Sequence, residues 1–145
     1  MRVYFAGPLF TPYERSFIDE CAARLRSAGI DVFVPHEHEL AGSDTSPSTI
    51  FRKDLQGLEA ADAVVALLDG PVIDDGTACE IGIFYALMQN DPTKRGIVGL
   101  LTDLRGTLSH GGYGLNLFVE GCVEAAGKVC GTLDEVVDVL DGWRD

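Results

Sequence analysis

Four carboxylates crowd into the stretch 69–80, at Asp69, Asp74, Asp75 and Glu80. Carboxylates of this kind can attack carbon or move protons, and the element that carries them decides which. Just before them, Ala63-Val64-Val65-Ala66-Leu67-Leu68 is short, bounded and β-branched at its middle, so it reads as a buried parallel strand. Asp69-Gly70-Pro71 ends that run, and Asp74-Asp75-Gly76 is a second turn signal. Ile81, Phe84, Tyr85 and Met88 then recur at helical spacing. Strand, acidic loop and helix start place the acids at the carboxyl end of a strand, where open α/β sheets bind ligands.

Two readings of the acids stand side by side. Thr77-x-x-Glu80 fits a capping box, and Asp74 and Asp75 suit the positive end of a helix. Alternatively two carboxylates divide the work, one as nucleophile and one as proton donor, as in retaining glycoside chemistry. Both can hold, since the helix N-terminus is expected to keep Glu80 ionised.

The elements that must position these residues follow in order. Arg2–Phe5 reads as a strand. Thr11-Pro12-Tyr13-Glu14 is a helix start with a capping box, Phe17, Ile18, Cys21, Ala22 and Leu25 form its apolar face, and Gly29 ends it. Asp31–Val34 is a second strand, and 35–47 is a long polar loop. Ser46-Pro47 opens a helix to about Ala61. Gly96–Leu101 is the fourth strand, and 102–115 is a long Gly-rich loop. Asn116 caps a helix ending near Gly127, Lys128–Cys130 is a short strand, and Thr132-x-x-Glu135 caps a last helix. Strands alternate with helices five times. That predicts an α/β, three-layer flavodoxin-like fold: a five-stranded parallel sheet of order 2-1-3-4-5, helices on both faces, one domain over 1–145. The loops after strands one, three and four then converge, carrying Gly7, Phe10, Asp69, Asp74, Asp75, Asp103 and Arg105.

Composition bounds the function. With 46% hydrophobic residues the chain can fill a core, and no apolar run approaches a membrane span or a signal peptide, so a soluble cytoplasmic protein is expected. A net charge of -12 disfavours nucleic acid. With only three lysines against 14 aspartates, self-repulsion points to a salt-rich cytosol, where the melting temperature should rise from low to molar potassium chloride. Cys21, Cys79, Cys122 and Cys130 form no C-x-x-C pair and read as buried reduced thiols. A catalytic Cys79 lacks a nearby histidine. His36-Glu37-His38-Glu39 shows no third ligand, so no metal is expected, and neither G-x-G-x-x-G nor G-x-x-x-x-G-K-S/T occurs. Arg105 is expected to grip Asp103 or a neighbouring loop.

Four stretches carry a resemblance. They are Val3-Tyr4-Phe5-Ala6-Gly7-Pro8-Leu9-Phe10; Arg52-Lys53-Asp54-Leu55 with Ala60-Ala61-Asp62-Ala63-Val64-Val65-Ala66; Asp74-Asp75-Gly76-Thr77-Ala78-Cys79-Glu80-Ile81-Gly82; and Asn116-Leu117-Phe118-Val119-Glu120-Gly121. Together they resemble the nucleoside 2-deoxyribosyltransferase family, and D-D-G-S/T-x-x-E-x-G is the most specific element. The resemblance implies an enzyme that breaks the N-glycosidic bond of a 2′-deoxynucleoside and passes the sugar to another base, without a cofactor. It implies Glu80 as nucleophile, Asp74 as the acid serving the base, Asp54 near the reacting groups and Tyr4 against the nucleophile. It implies substrate contacts from Gly7, Phe10, Asp75, Asn116 and Phe118, with Asn116 supplied by a neighbouring subunit of at least a dimer. Phe118 stands where some transferases carry methionine, which bears on base preference.

Plainer roles compete for each residue. Asp54 reads equally as a solvated charge, Tyr4 as core, Phe10 as a staple against the following helix and Asn116 as an N-cap. Two other functions compete as well. A 2′-deoxynucleoside 5′-monophosphate N-hydrolase would need phosphate donors, and Gly7–Thr11 offers only Thr11 and no arginine. A non-catalytic nucleoside-binding module would keep its function after Glu80→Ala.

Overall fold

A computed structural model describes residues 1–38, 46–107 and 114–144. Five parallel strands, β1 (Arg2–Ala6), β2 (Asp31–Phe33), β3 (Ala63–Leu67), β4 (Gly96–Leu100) and β5 (Gly127–Cys130), stand in the order β2-β1-β3-β4-β5. The helices are α1 (Pro12–Ser27), α2 (Pro47–Ala60), α3 (Asp75–Met88), the one-turn α4 (Leu104–Thr107), α5 (Leu117–Ala126) and α6 (Leu133–Gly142). The three-layer flavodoxin-like arrangement expected from the strand–helix alternation is the one found. Every residue of β3 and β4 is buried, which is why those strands read as continuous apolar runs.

The two faces of the sheet are separate cores. Val3 and Phe5 of β1 pack with Ile18 and Leu25 of α1 and Val136 and Leu140 of α6. Tyr4 and Ala6 face the other way, toward Leu58 of α2, Ile81 and Phe84 of α3 and Val123 of α5. The period of two along a strand therefore sends Tyr4 alone of the β1 aromatics to the α2–α3 side.

Helix starts follow their caps. Thr11 and Glu14 form the expected capping box, Ser46 caps α2 and Thr132 caps α6. Gly29, at φ 80, takes the left-handed turn that closes α1. Two loop expectations change. Pro35–His38 is a single 3₁₀ turn, since Glu37 N–H reaches Val34 O; residues 39–45 lie outside the described set. Within 102–115, Leu104–Thr107 makes the turn of α4, and 108–113 lie outside the described residues. No described helix is long and apolar enough to cross a membrane.

Candidate active site

Tyr4 is fully buried on the α2–α3 side of the sheet. Its ring stacks on Phe33 at 5.4 Å, and its hydroxyl donates to Glu80 Oε1 at 2.5 Å. Glu80 lies in the second turn of α3, on the inward side shared with the buried Thr77, Ile81 and Phe84. The carboxylate thus enters the protein instead of meeting the helix N-terminus.

Here the capping-box reading is corrected. Asp74, not Thr77, caps α3: its Oδ2 accepts from Thr77 N at 2.8 Å and from Thr77 Oγ1 at 3.0 Å. A three-residue offset moved the helix start because Asp74 supplies a better acceptor than the Thr77 hydroxyl, which donates to it. The electrostatic expectation is corrected too. Burial pushes the Glu80 carboxyl up to about 7. The Tyr4 hydrogen bond opposes that rise, the Asp54 and Asp74 charges add to it, and Lys53 opposes it again. At the second turn Glu80 is past the orphan N–H groups, so desolvation outweighs the helix dipole. Tyr4 is held far above an ordinary phenol, by burial first and the neighbouring Glu80 second, and remains a proton donor.

Helix α2 brings Asp54 to the same place. Burial raises its carboxyl while Lys53 draws it down. Lys53 Nζ donates to Pro35 O at 2.9 Å and sits 3.3 Å from Asp54 Oδ1. That separation is within ion-pair reach, yet Oδ1 is buried and outside hydrogen-bonding geometry. Asp54 is therefore not a freely solvated charge. Tyr4, Asp54 and Asp74 all act on Glu80, with Lys53 as the cation among them, and Asp54 also acts on Tyr4. A carboxyl poised near neutrality can serve as nucleophile or as proton carrier, and its acidic neighbours suit a cationic transition state.

The remaining expected residues have contacts of their own. Asn116 Oδ1 accepts from Phe118 N at 3.0 Å and Val119 N at 3.3 Å, so it is the N-cap of α5 within its own chain. It also borders a cleft of about 270 Å³ with Leu68, Pro71, Ile73 and Leu101. Phe10 is 81% and Phe118 88% exposed, so Phe10 is not a staple on α1. Asp75 is exposed in the first turn of α3. Gly7 has a steric reason: a Cβ there would lie 2.9 Å from Ile18 Cδ1 and 3.1 Å from Leu67 Cβ.

Asp69 parts from the other acids. Its Oδ1 accepts from Thr102 N at 2.6 Å and Asp103 N at 2.9 Å, and its Oδ2 accepts from the Thr102 hydroxyl. Arg105 grips Asp103 through Nε at 3.0 Å and Nη2 at 2.5 Å, holding that carboxyl at about 2. These groups border a cleft of about 360 Å³ with Tyr13 and Phe17 of α1, on the far side of the sheet from Tyr4. Of the four cysteines, Cys21 and Cys130 are buried, Cys122 is half-buried, and Cys79 is exposed, contrary to expectation, because it lies on the outer face of α3. His36 Nε2 pairs with Asp19 at 2.8 Å, while the His38 ring stacks on Phe33 at 4.3 Å. Among the described residues no three His, Cys, Asp or Glu side chains gather as metal ligands.

Two participants had no signal of their own in the sequence. Lys53 is one lysine beside an aspartate on a helix. Gly57 is a glycine inside a helix, and its contacts come only from the tertiary fold.

Comparisons with known proteins bear on the family and the fold. The family model for nucleoside 2-deoxyribosyltransferase matches residues 3–130. An uncharacterised protein of Ureaplasma parvum serovar 3 is 31% identical over 134 residues, 85% of this chain and 83% of that one. A conserved protein from Enterococcus faecalis V583 superposes with a TM-score of 0.81 at 28% identity, over 97% of each chain. The 2-deoxyribosyltransferase from Bacillus psychrosaccharolyticus shares the fold, with a TM-score of 0.74 at 22% identity over 95% of this chain and 91% of that one. With the match running from β1 to β5, this chain belongs to the nucleoside 2-deoxyribosyltransferase family.

Proposed function

We propose that the protein cleaves the N-glycosidic bond of a 2′-deoxynucleoside and transfers the deoxyribosyl group to an acceptor base. Glu80 attacks the anomeric carbon as the bond to the base nitrogen breaks. Asp74, having first taken up a proton from solvent, gives it to the departing base, and the sugar is held as an ester on Glu80. The acceptor base then attacks the same carbon, the Glu80 carboxylate leaves, and the acceptor's ring proton passes to Asp74. Splitting one displacement into two lets each step proceed through a stabilised oxocarbenium-like state. Asp54 contributes negative charge beside the sugar, and Tyr4 orients Glu80. The observation that carries this reading is the Tyr4–Glu80 hydrogen bond inside a cluster of carboxyls, with Glu80 poised at about 7. Phe10 and Phe118 are proposed to close over the base and Gly7 and Asp75 to border the sugar pocket.

A nucleoside fits better than its 5′-monophosphate. At the start of α1, Glu14 Oε2 already takes the N–H groups of Phe10 at 3.1 Å and Thr11 at 2.7 Å. A phosphate there would lose both donors and meet a like charge. Incubating the protein with a deoxynucleoside, with and without acceptor base, tests the activity. Exchange of base is the expected outcome; release of free sugar from the 5′-monophosphate alone would assign the hydrolase instead.

The active form is proposed to be at least a dimer that places Asn116 of one copy near Glu80 of another. Leu117 and Phe118 are 83% and 88% exposed at the start of α5. They border a hollow of about 440 Å³ with Gly82, Tyr85 and Cys122, an apolar face that suits a second copy. Light scattering after chromatography should give a mass above that of one chain, and Phe118→Asp should lower it. Soluble cytoplasmic placement is proposed with this chemistry.

A further inference from the structure

We infer that Gly57 is a positioning residue: its missing side chain lets α2 lie against the Tyr4 and Phe33 rings, which seats Asp54 beside the Tyr4–Glu80 pair. This inference rests on the proposed role of Glu80.

A Cβ at position 57 would lie 2.7 Å from Phe33 Cε1 and 2.9 Å from Tyr4 Cε2. Real Cβ atoms do not come so close, so a larger residue must drive α2 or the rings outward. The rings have little freedom. Tyr4 is fully buried, stacked on Phe33 and tied to Glu80, and Phe33 is stacked in turn on His38. Glycine weakens a helix interior relative to alanine, so this position carries a local cost that the ring contact explains. Asp54 is three residues earlier and therefore on the same side of α2. Moving the helix away moves that carboxylate with it.

The groups facing Glu80 are Tyr4 from β1, Asp54 and Lys53 from α2, and Asp74 at the cap of α3. The Asp54 charge favours the protonated form of Glu80. Retracting it weakens that repulsion, so the Glu80 carboxyl titrates lower. It also misplaces the carboxylate proposed to stand beside the sugar.

The test is a ¹³C NMR titration of the Glu80 carboxyl carbon, read beside the pH dependence of kcat/KM. Gly57→Ala is expected to move the carboxyl midpoint down by roughly 1 pH unit, a shift of the size a nearby like charge produces. The acid limb of kcat/KM should follow it, and kcat should fall roughly tenfold. In the Asp54→Asn background the same alanine substitution should lower the midpoint by less, because the like charge being moved is gone and only burial and Lys53 still change. An unchanged midpoint in Gly57→Ala, or an equal shift in both backgrounds, would overturn the inference. If Gly57→Ala alone does not fold, Gly57→Ala with Phe33→Leu, which relieves the contact to Phe33 and keeps the one to Tyr4 at 2.9 Å, is titrated against Phe33→Leu alone; a smaller downward shift is expected, and no shift would overturn the inference. The carboxyl titration needs no turnover, whereas full activity in Glu80→Gln would remove the proposed nucleophile itself. The two failures are therefore distinguishable.

Discussion

Acids gather at two places by the carboxyl end of the sheet, and their partners differ. On the α1 side Asp69 and Asp103 are fully answered: Asp69 by two backbone N–H groups and a hydroxyl, Asp103 by the fork of Arg105. Asp103 is drawn down to about 2. On the α2–α3 side Glu80 has one short hydrogen bond and two like charges nearby, and it is pushed up to about 7. The first cluster is a clasp between the β3 and β4 loops. The second stores an electrostatic cost that serves chemistry, because a carboxyl that titrates near neutrality can both take up and release a proton there.

Substitutions that disturb one cluster and leave the other alone break this contrast or sharpen it. The largest effect belongs to Glu80→Gln. Loss of the proposed nucleophile should lower kcat by roughly 10⁴-fold or more, measured by base exchange. The same change should raise the melting temperature at alkaline pH. A carboxyl whose folded pKa is raised contributes stability fully below its unfolded pKa, near 4.5, and loses it as pH rises through about 7. Removing it spares the folded protein a cost of about 3 kcal/mol above that range.

Tyr4→Phe comes next. It removes the bond that holds Glu80 down, so the acid limb of kcat/KM should move above 7 and the rate at neutral pH should fall roughly 10- to 100-fold. In the unaltered protein kcat/KM should fall about tenfold per pH unit below 7. A limb near 4.5 would mean that burial does not govern Glu80.

Asp69→Ala tests the other cluster. Leaving Thr102 and Asp103 without their acceptor should cost about 0.5–1.5 kcal/mol, seen in chemical denaturation, with the acid limb unmoved. Arg105→Ala breaks a solvent-screened pair and should lower stability by less than Asp69→Ala does. A shift of the acid limb in either variant would show that the two clusters are coupled.

Much of this was legible in the residues. The order of the sheet followed from alternation and from the continuous apolar runs of β3 and β4. The meeting of Tyr4 and Glu80 came only with the family resemblance, because 76 residues separate them and no local pattern links a strand tyrosine to a helix glutamate. The cap of α3 was misplaced since Asp74 and Thr77 are both good caps, and the choice depends on which accepts from the other. The direction of the Glu80 shift was misjudged because sequence shows the helix dipole and hides the burial. Gly57 and Lys53 were silent for the same reason: their importance is contact across elements.

The most direct test of the central claim uses a 2-fluoro-substituted deoxynucleoside, whose sugar is slow to leave the enzyme. Mixed with the protein and read by intact mass and peptide mapping, it should add one fluorinated deoxypentosyl group, and the modified peptide should place it on Glu80. Release of the base with no adduct, or an adduct on another residue, would contradict the account.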